Sequence, residues 1–339
     1  MKRIYQADFI RTISTLGIFC FHFWSKSVTN HLVPFALPSL PNFTLGSLFV
    51  TVFFMLSGAM LYYTTQRKPF SIPHFYWRRF LGVFPAFYLS FFPLHLKTAL
   101  EYGTFFYKGN PKVFLLSLLG MDGYLSYRIS TYYQVGEWFL GALILLYVLY
   151  PLLYSSIKQH TLSASIIILL LYSSTFSKTL FQINSFQNLF SCLLSFWLGM
   201  LLMKYQAYFL ENCKFGWSCG LFLLFLLFVQ LPLNTNILAH IGGFTCFCFL
   251  YTLAPYVSSK NFFRNFFCTC STLSYPFYLV HHVILSVILN RVQGPVPWSR
   301  LVIFFFITLA ITLATALVLH IILTCIEKKF LNASKELPN

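Results

Sequence analysis

The chain has 339 residues, of which 58% are hydrophobic and only 9% charged. Soluble domains carry about a quarter charged residues, so a water-soluble globular protein is excluded and a polytopic membrane protein is implied. A net charge of +16 would suit nucleic acid, but the basic residues sit in short loops between apolar runs, as orientation signals and contacts with anionic lipid do; no nucleic-acid partner is expected.

At about 20 apolar residues per span, the sequence predicts an all-α polytopic protein with ten transmembrane helices. They fall near 8–26, 44–64, 80–98, 136–157, 162–178, 186–203, 215–231, 238–257, 272–290 and 299–325. The third is interrupted by Pro85 and Pro93. There is no internal repeat, and residues 1–339 read as a single integral membrane domain. The first span is too long, and too polar on one face, for a cleaved signal peptide, and it reads as a retained helix. With the N-terminus inside, cytoplasmic segments hold the larger share of the 23 Lys and Arg residues, among them Lys2, Arg3, Arg67, Lys68, Arg78, Arg79, Lys328 and Lys329. That bias places both termini in the cytoplasm.

The first span carries the polar groups that most need a reason. Asp8, Arg11 and His22 lie in an otherwise apolar run, and intramembrane ionisable groups mark functional paths by default. The eleven-residue step from Arg11 to His22 is close to three helical turns, so the two share one face roughly 16 Å apart. Asp8 stands three residues before Arg11, within reach of it at i,i+3.

Two loops are more than connectors. Residues 65–79 hold Arg67, Lys68, His74, Arg78 and Arg79 among aromatics, a cationic rim suited to phosphates of a lipid head group or of a nucleotide-bearing donor. Residues 99–135 form a long outer segment rich in tyrosine, which serves either as an interfacial belt or as stacking surface for a sugar chain. Nine cysteines, an odd number, lie mostly in apolar segments. The Cys246/Cys248 and Cys268/Cys270 pairs lack zinc-ribbon spacing, so the cysteines read as small buried hydrophobes and no metal is expected.

Several strings, in order along nearly the whole chain, resemble the acyltransferase-3 family of integral membrane acyltransferases. They are Asp8-x-x-Arg11 followed by His22; Phe53-Phe54-Met55-Leu56-Ser57-Gly58; Tyr76-Trp77-Arg78-Arg79-Phe80-Leu81-Gly82-Val83-Phe84-Pro85; Glu137-Trp138-Phe139-Leu140 with Tyr147 and Pro151; and Leu273-Ser274-Tyr275-Pro276-Phe277-Tyr278-Leu279-Val280-His281. Gly82 departs from the family pattern, standing where a second arginine is usual, so a clamp built on Arg79 is incomplete. Ala59 replaces a phenylalanine, and no esterase-like domain is appended.

The resemblance implies transfer of an acyl group, most often acetyl from cytoplasmic acetyl-CoA, to a hydroxyl of an envelope glycan, with no bound cofactor. A capsular or other extracellular polysaccharide fits best, in a bacterial cytoplasmic membrane. A sugar hydroxyl needs a base within hydrogen-bond reach, and histidine has the pKa for it. His22 is the expected base, with Asp8 and Arg11 setting the local field and Arg11, Arg78 and Arg79 holding the donor's phosphates. Ser57, Glu137, Tyr278 and His281 are further candidates. Ser57-Gly58 reads first as a close helix contact. His281 and His282 are adjacent and are expected to face apart, with His281 the one in the site. Two other readings are O-acylation of a lipid-linked oligosaccharide or of peptidoglycan, and transport of glycan precursors. Seven acidic residues in all, and no paired interrupted helices, speak against a carrier.

Overall fold

The structure is a computed structural model. It describes residues 3–33, 40–67, 69–177 and 179–333, with side chains to residue 326. Lys2 and Lys68 lie outside the described residues, as do the side chains of Lys328 and Lys329. The chain is 77% helical, and no strand occurs among the described residues. In order the α-helices are α1 (Tyr5–Thr29), α2 (Leu45–Thr65), α3 (Ile72–Tyr102), α4 (Phe114–Leu118), α5 (Asp122–Leu125), α6 (Trp138–Gln159) and α7 (Thr161–Ser174). They continue as α8 (Leu189–Lys204), α9 (Gln206–Phe209), α10 (Cys213–Phe228), α11 (Thr235–Val257), α12 (Asn261–Leu289) and α13 (Trp298–Ala333).

Each expected span coincides with a helix. Among the described residues, six helices (α2, α3, α6, α11, α12 and α13) are long and apolar enough to cross a membrane by length and composition. Helices α7, α8 and α10 are apolar but have 14, 16 and 16 residues; at 1.5 Å per residue they fall short of a bilayer core about 30 Å thick. Helix α3 runs through Pro85 and Pro93 for 31 residues without a break. Membrane helices tolerate such prolines, and on this helix Tyr275 donates its hydroxyl to the Val83 carbonyl at 3.0 Å.

The chain divides into two compact units. The first comprises Met1–Trp24, Ala36–Tyr76 and Gly141–Ser271. Its centre is the crossing of α2 with α8, flanked by α11 on α2, α10 on α11 and α7 on α8. The crossing is close because two glycines face opposite backbones. A β-carbon on Gly58 would fall on the carbonyl of Phe196, and one on Gly199 on the carbonyl of Met55. Small residues allow such backbone approach where no hydrophobic effect drives helices together. The glycine of Ser57-Gly58 is thus a packing device.

Polar bonds tie the same unit where apolar contact alone would not fix register. The Trp197 indole N–H donates to Ser165 Oγ at 2.9 Å. Lys204 Nζ donates to the Ile157 carbonyl and to Thr161 Oγ1, both at 2.7 Å. His240, buried on α11, has its Nε2 2.9 Å from Ser191 Oγ and its Nδ1 2.8 Å from Ser195 Oγ. Such satisfaction is what a ring nitrogen in an apolar medium requires. Cys192, Cys219, Cys246 and Cys248 are buried in this unit.

The second unit comprises Ser25–Phe35, Trp77–Leu140 and Thr272–Asn339. Its outer segment is ordered around His95, which is fully buried. The rings of Phe91, Phe105, Tyr107, Phe114 and Tyr132 surround it with centroids 4.7–5.6 Å away. Tyr107 Oη lies 3.2 Å from His95 Nδ1, and Gln134 Nε2 donates to Tyr107 Oη at 2.8 Å. Tyr107 and Tyr132 are therefore core residues of this segment. Tyr102 and Tyr133 remain exposed, at 68% and 40%.

Candidate functional site

In the first unit, α1 is held on α2 by two aromatic-on-glycine contacts. A β-carbon on Gly17 would enter the Phe49 ring, and one on Gly46 would meet the Phe21 ring within 3 Å. His22, the next residue, is half-buried, its ring centroid 5.1 Å from that of Phe21. Arg11 and His22 stand on one uninterrupted helix, so the eleven-residue step keeps them on one face.

Asp8 and Arg11 take different partners from those the spacing suggests. The Asp8 carboxylate, 4% exposed, accepts from Arg3 Nε at 2.5 Å and Arg3 Nη2 at 3.1 Å. Arg3 Nη2 also donates to the Cys268 carbonyl at 3.0 Å. Arg11 Nη1 donates instead to Ser271 Oγ, at 3.1 Å. The physical reason is reach. Arg3 precedes the helix and can turn its planar fork onto both carboxylate oxygens, a better match than an i,i+3 side chain fixed on the helix surface. Arg11 is thereby left to a neutral acceptor, with further N–H donors on the same guanidinium.

In the second unit the convergence is tighter. The turn before α6 places Glu137. Gly136 has φ +78°, a left-handed conformation that suits glycine. The next residue then becomes the cap of α6, its carbonyl accepting from the Leu140 N–H at 3.0 Å. A carboxylate there sits at the positive end of the helix dipole. From α12, His282 Nε2 forms an ion pair with Glu137 Oε1. His281, 1% exposed, lies beside it, the two imidazole centroids 4.6 Å apart and their planes at 62°. The ligand atoms of Glu137, His281 and His282 all lie within 4.8 Å of one another.

This corrects the expectation that adjacent histidines face apart. Their Cα–Cβ bonds diverge by about 100° around the helix, but each imidazole reaches far enough from its backbone to swing toward the carboxylate between them. His281 Nδ1 donates its proton to the main-chain carbonyl of Tyr278 at 2.7 Å. A carbonyl only accepts, so the bond fixes the tautomer and leaves Nε2 as the basic nitrogen. Tyr278 lies edge-on to Phe139 at 5.6 Å, which ties the two strings Glu137-Trp138-Phe139-Leu140 and Ser274–His281 together. His282 is the member that sequence reasoning missed; the doublet of histidines was its only signal.

The arginine candidates each have their own surroundings. Arg78, exposed, and Arg79, half-buried, lie near the start of α3. Gly82, one turn on, has nothing within 4 Å of the position a β-carbon would take. In the first unit, Arg67 of the cationic rim stacks on the Tyr63 ring at 3.7 Å.

Comparison with known protein families gives a match over most of the chain. The sequence pattern of a family described as an acyltransferase domain (Acyl_transf_3) covers residues 4–318. No curated protein and no solved structure matches the chain.

Proposed function

The chain belongs to the acyltransferase-3 family, and from that membership we propose that it moves an acetyl group from cytoplasmic acetyl-CoA to a hydroxyl of a capsular or other extracellular polysaccharide. Membership makes it a multi-pass membrane acyltransferase. The acetyl donor, the glycan acceptor and a bacterial cytoplasmic membrane are the finer reading. The observation that carries it is the family match over residues 4–318, within which Arg11 and His22 stand on one face of α1.

In this reading His22 takes the proton from the acceptor hydroxyl as its oxygen attacks the thioester carbonyl. The carbon–sulfur bond breaks, and the proton is returned to the departing thiolate. A positioned base contributes about 10²–10⁴-fold. Asp8, neutralised by Arg3, and Arg11 set the field along the helix. Arg11, Arg78 and Arg79 hold the phosphates of the donor, a role suited to the guanidinium fork. Glu137, Tyr278 and His281 are further members of the machinery. Ser57 stands beside Gly58, the glycine that packs the α2–α8 crossing.

The test is proton NMR of the envelope polysaccharide from a host with the gene, without it, and with His22→Ala, before and after mild base. The expected result is a base-labile O-acetyl signal lost in both the deletion and the variant, with the variant present in the membrane at normal level. Unchanged acetylation in the deletion overturns the acceptor, and unchanged acetylation in His22→Ala overturns the base.

A further inference from the structure

We propose that Glu137, His281 and His282 form a binding site for one divalent transition-metal cation of the zinc class. The expectation of no metal rested on cysteine spacing, whereas these three residues are separated by 145 positions at the widest and meet only in the folded second unit. Their ligand atoms lie within 4.8 Å of one another, close enough for one ion to draw them together. Two imidazoles and one carboxylate are a donor set that zinc sites use.

Three features of the surroundings favour a ligand site over a chance meeting of polar groups. First, the tautomer is set: the Nδ1–H of His281 donates to the Tyr278 carbonyl at 2.7 Å, the outer contact that metal-bound histidines make to aim Nε2 at the ion. Second, the backbone that carries the Glu137 carboxylate is set on two sides. Gly136, at φ +78°, turns the chain into Glu137, and Gly123 lies against the Glu137 backbone with no room for a β-carbon. Third, the site is largely shielded, with His281 only 1% exposed and Glu137 and His282 half-buried. The claim is about binding and holds whatever the acyl acceptor is.

The experiment uses the full chain in detergent, stripped with chelator, incubated with Zn²⁺ alone, gel-filtered and measured by elemental mass spectrometry. The expected result is about one zinc per chain, the stoichiometry of a single mononuclear site, and loss of retained zinc in Glu137→Gln and His282→Ala at unchanged elution. No retained zinc in the unsubstituted chain overturns the proposal, as does full retention in both variants. If a variant aggregates, Co²⁺ absorption of the unsubstituted chain decides. Intense visible bands of a four-coordinate ion support the site; weak bands of a six-coordinate ion, or none, overturn it.

Discussion

Gly123 and Glu137 touch through their backbones: a β-carbon on Gly123 would lie 2.5 Å from the Glu137 carbonyl carbon and 2.7 Å from the Trp138 nitrogen. The short helix α5 thus acts as a stop against which the start of α6 is set. Gly123→Ala is expected to push Glu137 out of line with His282 and to lower stability by about 1–3 kcal/mol, as overpacking does. A thermal melt in detergent reads the stability, and acetyl content of the polysaccharide reads the site. Gly82→Ala, placed in open space, is the control and should leave the melt unlowered.

The crossing of α2 and α8 predicts a larger penalty. Substituting leucine at Gly58 or Gly199 drives a side chain into a facing carbonyl, and neither backbone can retreat without separating the helices. Each variant is expected to reduce folded protein in the membrane, seen as loss of the monodisperse peak in detergent. Ser57→Ala, half-buried beside the crossing, should keep both the peak and the acyl transfer. Loss of transfer with a normal peak would return Ser57 to the chemistry.

Gly82 lies three residues after Arg79 on α3, on the same face, with open space where its side chain would be. Gly82→Arg is therefore expected to fold normally and to gain up to about 1 kcal/mol from the better helix former. If the donor's phosphates lie along this face, the variant lowers KM for acetyl-CoA while leaving kcat near its original value. An unchanged KM would place the phosphates elsewhere.

Asp122 gives a pH dependence with a definite sign. Its carboxyl is buried in the outer segment and pushed up to about 6 from an ordinary 3.8 by loss of solvation; the hydrogen bond from Ser117 Oγ, at 2.9 Å, opposes that rise less strongly. Between those values the folded state binds the extra proton, so its contribution to stability is present below pH 4 and is lost as pH rises through 6. Asp122→Asn should remove that decline. Melting temperatures of the two proteins between pH 4 and 7 check it, and parallel curves would count against Asp122 as the source.

Much of the fold was legible in the sequence because a bilayer allows few solutions. Apolar runs in lipid must be helices, since every backbone N–H and C=O has to be satisfied within the segment, and each expected span coincides with a helix. Even α3, doubtful for Pro85 and Pro93, is continuous. The glycine of Ser57-Gly58 was readable as a close contact because small residues are the device membrane helices use. Tyrosines in the outer segment were not separable by composition: Tyr107 and Tyr132 are packed around His95, whereas Tyr102 and Tyr133 face outward.

The sequence by itself determined the all-helical membrane class, the family strings and the sharing of one helix face by Arg11 and His22, because each depends on composition or on spacing within one segment. Only the tertiary structure decided who partners whom. Asp8 goes to Arg3 and Arg11 to Ser271, since a flexible residue before the helix reaches where a helix-bound one cannot. Glu137 meets both His281 and His282, because the packing of distant helices, not the angle between neighbours on one helix, sets where long polar side chains end.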